Sequence, residues 1–493
     1  MMRHILVGFM ILVGFAVLAQ GPYSDSPEVP DTAAAKLAKP LLEIINSGDK
    51  AAAEAFIKKH FDPSFRDHFP MEAHLQFIED VHGNGPFTYH SIRRYEEPVE
   101  NEAVCIMRSE RTEAWQALVI TANPETGLLA GLDFTQARVP SDLPKEGPLT
   151  EAQAVAELEA YVGRMKAKDV FSGTVLLARG EKVLYQGAAG QASKRFHVPN
   201  NLQTKFNLGS MNKMFTSVAI AQLVKAGKVS YSDKLSKFID ESWLPKDMTD
   251  KIEIRHLQTH SSGLGSYFNE TFMKSSKTRF RALDDYKELV KGETLQFEPG
   301  TKSRYSNTGM FLLGVVIEKA SGETYFDYVR NHIYKPAGMI NTDCFEMDQP
   351  VPNLAIGYEK TLGNETGWKN NLFLHSLKGG PAGGGFSTVE DLHRFALALT
   401  RYKLVGRDLT QQLYSGKPEL KSPNYGYGFV IEGSADNRIV GHSGGFTGIS
   451  SNLDIYLDRA YIAAVMSNYS EGAGAIQTKI RSLLDRVGPQ ARN

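Results

Sequence analysis

The sequence predicts an α+β protein of two domains, a small N-terminal one and a larger one whose antiparallel sheet is assembled from both of its chain ends. Three observations carry that reading. Helical periodicity near the N-terminus gives way to four strand-like runs; later strand-like runs bracket a long middle of apolar helices and loops; and 493 residues exceed what one hydrophobic core usually organises.

Ahead of the first domain, Arg3 and His4 precede an apolar run from Ile5 to Leu18, and Val17 and Ala19 stand three and one residues before Gln20. That run is short for a spanning helix, which needs about 20 apolar residues, and it predicts a secretory signal over residues 1–20 and an exported, periplasmic or secreted protein. An uncleaved segment would instead act as an anchor. Pro22 to Thr32, rich in proline and acid, is expected to be a flexible spacer.

The first domain spans about 33–138. Ala33–Ile45, Ala51–Lys59 and Met71–Val81 have helical periodicity, and Phe87–Arg94, Ala103–Arg108, Ala114–Thr121 and Leu128–Thr135 alternate like strands. Helices followed by a four-strand meander look like the cone-shaped domains related to nuclear transport factor 2. Residues 139–150 form a proline-containing linker. Thr150 with Gln153 offers a capping box for a helix to about Ala167, opening a domain over 151–490. In it a hairpin (Phe171–Ala178, Lys182–Gln186) and strands at Tyr427–Ile431, Ser450–Tyr456 and Tyr461–Ser467 form the predicted sheet, closed by a helix over Gly474–Val487.

Composition excludes several roles. Fifty-five basic and 56 acidic residues leave a net charge of −1, which gives no electrostatic footprint for nucleic acid or an anionic membrane. Cys105 and Cys344 are too few for a disulfide framework and are expected as small buried apolar residues. His60, His68, His74, His82 and His90 crowd one stretch without the i, i+4 spacing of a metal site. No metal or cofactor is expected.

Three clusters carry chemistry. Ser210-Met-Asn-Lys213 opens an apolar helical run, so free backbone amides lie at the serine and the lysine amine returns to its face one turn on. Desolvated there, Lys213 would favour its neutral, proton-accepting form. Ser47-Gly-Asp-Lys50 has the same spacing but sits in a polar turn. Tyr305-Ser-Asn307 enters the apolar helix Met310–Ala320, with Tyr305 placed to pass a proton and Asn307 to hold Lys213 and a substrate amide. His442-Ser443-Gly444-Gly445 precedes the strand Ser450–Tyr456. There the Gly445 and Ser210 amides can form an oxyanion hole, and His442, Ser443 and Gly444 are candidates for substrate binding.

Together the clusters resemble those of the serine β-lactamase and penicillin-recognising family. The Tyr-x-Asn form is similar to the class C branch, which also holds D-alanyl-D-alanine carboxypeptidases, D-aminopeptidases and esterases. The likeness runs from about Ala167 to Val487 and includes Leu257-Gln-Thr-His260-Ser-Ser-Gly263-Leu264, Glu298-Pro-Gly300 and Gly383-Gly-Gly-Phe-Ser-Thr388. It implies the α/β sandwich of the β-lactamase and transpeptidase type. It also implies Ser210 as nucleophile with Lys213 and Tyr305 as its proton carriers. His442 stands where β-lactamases have lysine, as in the peptidase and esterase members, so the expected substrate is a D-amino-acid peptide or ester before a β-lactam. The oligomeric state and the first domain's role are left open.

Two rivals remain at this stage. Gly441-His-Ser443-Gly-Gly445 also satisfies the G-x-S-x-G nucleophile elbow, although no histidine follows His442 to complete it. The other is a binding or sensing module on the same fold.

Overall fold

The computed structural model describes residues 22–144, 146–361, 367–434 and 437–488, so the Ile5–Leu18 run lies outside the described residues. The chain divides between Leu149 and Thr150 into two units, each with its own hydrophobic core.

In the first unit, apolar residues three and four apart form α1 (Ala33–Ser47), α2 (Lys50–His60) and α3 (Met71–His82). Thr32 and Asp49 cap the first two, and Gly48 ends α1 in the left-handed region. Their buried residues, among them Leu41, Ile45, Ile57 and Ile78, close on Cys105, Met107, Leu118 and Ile120 of an antiparallel sheet. Its strands are β1 (Tyr23–Ser26), β2 (Phe87–Tyr95), β3 (Glu102–Ser109), β4 (Trp115–Ala122) and β5 (Leu129–Gln136), in that spatial order.

The strand β1 corrects the expectation of a flexible spacer over Pro22–Thr32 and makes the sheet five-stranded. It pairs with β2 so that Asp25 stands opposite Arg93, and both side chains are fully buried. The Asp25 carboxylate accepts bonds from Arg93 Nε at 3.1 Å and Nη2 at 3.2 Å, and from the Ser141 amide at 2.8 Å. Tyr23 lies between the guanidinium groups of Arg93 and Arg138, at 3.9 and 4.1 Å from its ring centre. Removing one partner of a buried, bonded pair leaves an uncompensated charge. Asp25→Ala is therefore expected to destabilise this unit by about 3–5 kcal/mol, read as a shifted urea midpoint.

Three of the crowded histidines of this unit bind separate partners: His74 the Arg66 carbonyl at 3.1 Å, His82 the Ile45 carbonyl at 2.7 Å, His90 the Asp142 carboxylate at 2.9 Å. Among the described residues no group of three or more His, Cys, Asp or Glu is placed to hold a metal. Cys105 and Cys344 are buried free thiols, each pushed up to about 12 by burial.

In the second unit, Thr150 and Gln153 form a reciprocal capping box that opens α4 (Glu151–Ala167). A hairpin of β6 (Gly173–Arg179) and β7 (Lys182–Ala189) follows, then a helical region containing α5 (Asn212–Lys225), α6 (Asn307–Ser321) and α7 (Val389–Thr400). The chain returns as β8 (Val430–Ser434), β9 (Asn437–Phe446), β10 (Ile449–Tyr456) and β11 (Tyr461–Ser467), and ends its described course in α8 (Gly472–Arg486). The six strands form one antiparallel sheet in the order β8-β9-β10-β11-β6-β7. Its seam joins the two chain ends, with Val465 opposite Val175. Alternation along β11 splits its faces: Ile462, Ala464 and Met466 join the core around α5 and α7, while Ala463 and Val465 turn the other way. The α+β class and the sheet drawn from both ends agree with the sequence expectation.

One local difference positions the site. His442 to Gly445 lie within β9 instead of leading into the next strand, because they continue the ladder with β10, Gly444 opposite Ser451 and Gly445 opposite Ser450. The neighbouring strand β8 pairs only with residues 437–441, so β9 presents an open edge from His442 onward.

Candidate active site

The open edge of β9 is filled by the turn that carries Ser210. Gly209 adopts φ +50°, a conformation that favours glycine, and its amide donates to Asn207 Oδ1 at 2.8 Å. The Leu208 amide donates to the Gly385 carbonyl at 2.7 Å, and the Gly384 amide to the Gly209 carbonyl at 3.2 Å. Residues Gly209–Met211 make a single 3-10 turn that runs straight into α5. That helix is buried nearly all round, with Met214, Phe215, Val218, Ala219 and Ile220 fully buried and Asn212, Thr216 and Ser217 buried among them. Ser210, at its mouth, stays half-buried, whereas Lys213 one turn later is fully buried.

Close approach of β9 to this turn depends on Gly444. A methyl group there would meet the Leu208 carbonyl oxygen at 1.9 Å and the Ser210 nitrogen at 2.9 Å. Gly444 is thus packed against the nucleophile turn and is not free to touch substrate, which revises its expected substrate-binding role. Gly445 beside it is exposed, and its nitrogen lies 2.9 Å from where a methyl on Gly209 would stand. The Gly445 amide thus lies beside the turn that carries Ser210. Gly444→Ala should push strand and turn apart and lower kcat by about 10²–10³-fold, the loss typical of a missing oxyanion donor. Steady-state kinetics on protein of unchanged circular dichroism measures it.

Lys213 is sealed in with two acceptors. Its Nζ donates to Asn307 Oδ1 at 2.9 Å and to the Ala382 carbonyl at 2.6 Å, and sits 4.8 Å from the centre of the Tyr305 ring. Burial holds its pKa well below that of an ordinary lysine. Asn307 is fixed in turn: it is the first residue of α6, capped by Ser306, and its Nδ2 donates to Ser266 Oγ at 3.3 Å.

Tyr305 precedes that cap, and the Ser210 side chain lies close enough to act on its hydroxyl. Tyr305 is 44 % exposed, so a ligand can reach it, yet the packed groups around its hydroxyl raise its pKa far above that of a free phenol, and the nearby Ser210 side chain only partly opposes this. The phenol is therefore neutral across the physiological range. Tyr305 is held by His260, whose sequence signal, the Leu257–Leu264 stretch, carried no assigned role. The His260 carbonyl accepts from the Arg304 amide at 2.8 Å, its Nδ1 accepts from the Ser306 amide at 3.1 Å, and its ring lies 4.4 Å from that of Tyr305. Both neighbours of Tyr305 are thus tied to one residue.

His442 is buried under Tyr425, a residue no spacing in the sequence points to. Its Nδ1 lies 2.5 Å from the Ser443 carbonyl, and its Nε2 lies 3.1 Å from the Tyr425 hydroxyl. A carbonyl only accepts, so Nδ1 carries the hydrogen; the neutral ring then accepts the Tyr425 hydroxyl proton at Nε2. Burial first, and the Lys213 charge second, lower the His442 pKa to about 3, against the Ser443 carbonyl, which raises it. Ser443 itself is exposed in mid-strand opposite Asn452. An elbow nucleophile needs a strand-to-helix turn, so the Ser443 alternative has no geometric basis.

The structure thus gathers Ser210, Lys213, Tyr305, Asn307, His442 and Gly445 around one cleft, with Gly444 in its wall. Comparison with known proteins bears on the family of the second unit. The family model described as Beta-lactamase matches residues 158–486. Penicillin-binding protein 4* of Bacillus subtilis is 32% identical over 328 residues, covering 64% of this chain and 72% of its own. Among solved structures, a penicillin binding protein from Bacillus halodurans shares 31% identity at a TM-score of 0.59, covering 68% of this chain and 98% of its own. A D-stereospecific amidohydrolase from Streptomyces sp. shares 25% at a TM-score of 0.56, covering 69% and 100%. The first unit lies outside the family match, and its likeness to nuclear transport factor 2 rests on element order alone. With two thirds of its length matched and a serine, a buried amine and a phenol in one cleft, the chain belongs to the beta-lactamase family of serine hydrolases.

Proposed function

We propose that Ser210 attacks an amide or ester carbonyl to form an acyl-enzyme, and that the natural substrates are D-amino-acid amides, peptides or small esters. The observation that supports the reading most is the bonding of Lys213. A neutral amine has two N–H groups and one lone pair; Asn307 and Ala382 take both N–H groups, which leaves the lone pair as an acceptor. In the first half-reaction the Ser210 oxygen bonds to the carbonyl carbon and its proton passes to Lys213 Nζ. The Ser210 and Gly445 amides receive the oxyanion, each such donor contributing about 3–4 kcal/mol. The neutral Tyr305 hydroxyl then gives a proton to the leaving amine or alkoxide as the carbonyl re-forms, and is reprotonated from Lys213. Water enters, loses a proton to the same relay and releases the acid with Ser210 restored.

The likeness to a D-stereospecific amidohydrolase supports the D-configured substrate class. A panel of p-nitrophenyl esters, D- and L-alanine p-nitroanilide, and nitrocefin tests it. Turnover of the esters and of the D-anilide well above the L-anilide is expected; nitrocefin as the best substrate would contradict the reading. Export through the N-terminal apolar run belongs to the same proposal, and secreted protein beginning at Gln20 would support it.

A further inference from the structure

We propose that Tyr425 and His442 make the cleft selective for leaving groups that carry no carboxylate, so that esters, simple amides and carboxyl-blocked peptides are processed and free peptide acids are disfavoured. The inference rests on the acyl-enzyme reading above and narrows its substrate class. The leaving-group side of the cleft is identified by Tyr305, which hands over the proton. From Tyr305 a continuous wall of rings follows: His260 at 4.4 Å, Tyr425 at 4.7 Å from His260, and His442 bonded to Tyr425 at 3.1 Å.

Neither ring nitrogen of His442 is available to an anion. Nδ1–H is spent on the Ser443 carbonyl, and Nε2 holds a lone pair turned to the Tyr425 hydroxyl. A carboxylate displacing that hydroxyl would meet a lone pair. To supply a donor the ring must gain a second proton, which its burial opposes. The other groups around it bring no positive charge to pair with a carboxylate. Tyr305 and Tyr425 offer only neutral hydroxyls, and the Lys213 amine has both N–H groups engaged. His260 keeps one unpartnered Nε2–H, but it is 3 % exposed beneath the two tyrosine rings. His442 therefore acts as a positioning residue that fixes the wall, and its expected part in substrate binding becomes indirect.

The test uses the full chain and two aryl acetates, 3-acetoxybenzoate and its methyl ester, each rate divided by its own hydroxide-catalysed rate. The acetyl group is shared, so only the leaving-group charge differs. The methyl ester should be favoured at least tenfold in kcat/KM, and an equal or reversed ratio would overturn the inference. Tyr425→Phe, by freeing Nε2, should narrow the ratio severalfold, and His442→Lys should shift it at least tenfold toward the acid. Ratios unmoved in both variants would overturn the assignment to this pair. Failure of the underlying reading looks different: Ser210→Ala would then leave both rates intact, whatever their ratio.

Discussion

Ser210→Ala is expected to lower kcat/KM for every amide or ester this protein hydrolyses by about 10⁴–10⁶-fold, with the fold retained. The reason is that no second nucleophile stands in the cleft: Ser443 is exposed in mid-strand on β9, without the turn that would aim it at a carbonyl held by the Ser210 and Gly445 amides. Alanine fits the 3-10 turn, and Tyr305 beside the lost hydroxyl keeps access to water through its exposed edge. Folding stability should change little for that reason. Kinetics with p-nitrophenyl acetate, paired with a thermal melt, separates the two effects. A residual rate above that of water is still expected, because the amides remain in place.

The second large effect is at Lys213. Lys213→Met removes the proton acceptor and should cost about 10²–10⁴-fold in kcat/KM, the range for a positioned general base. The pH profile gives a sharper signature. The wild-type rate should climb from the acid side as the amine loses its proton, at a pH well below the ordinary lysine value of 10.5, since burial is what lowers it. That acid limb should vanish in the variant. The sign for stability follows from the same shift. Between the lowered folded value and the unfolded one, the unfolded chain binds the extra proton, so this residue's contribution to stability rises with pH and is unfavourable at neutrality. Methionine relieves that cost, although Asn307 Oδ1 and the Ala382 carbonyl lose a donor. Activity should therefore fall far more than the melting temperature.

Local signals explain which parts of this architecture the sequence exposed. Thr150 and Gln153 open α4 as a capping box because both partners lie within one turn. The buried helix α5 was visible as a largely apolar run, and with it the depth of Lys213 one turn beyond Ser210. What stayed hidden depends on distant partners. Nothing near Tyr23–Ser26 favours a strand; the reason for β1 is Arg93, 68 residues from Asp25. The glycines of His442–Gly445 suggest a turn, and only the ladder with β10 and the close fit of Leu208 show why they lie in a strand. Tyr425 has no motif at all, yet it sets which nitrogen of His442 carries the hydrogen. His260 stood in a stretch shared with the family, but its grip on both neighbours of Tyr305 needed coordinates.

The central claim is that one hydroxyl, that of Ser210, forms the covalent bond with substrate. Treating the intact protein with a fluorophosphonate and mapping the adduct by peptide mass spectrometry tests it most directly. A single adduct on Ser210, lost in Ser210→Ala and slowed in Lys213→Met, is the predicted result; an adduct on Ser443 or on another residue, or none on an intact and folded protein, would contradict it.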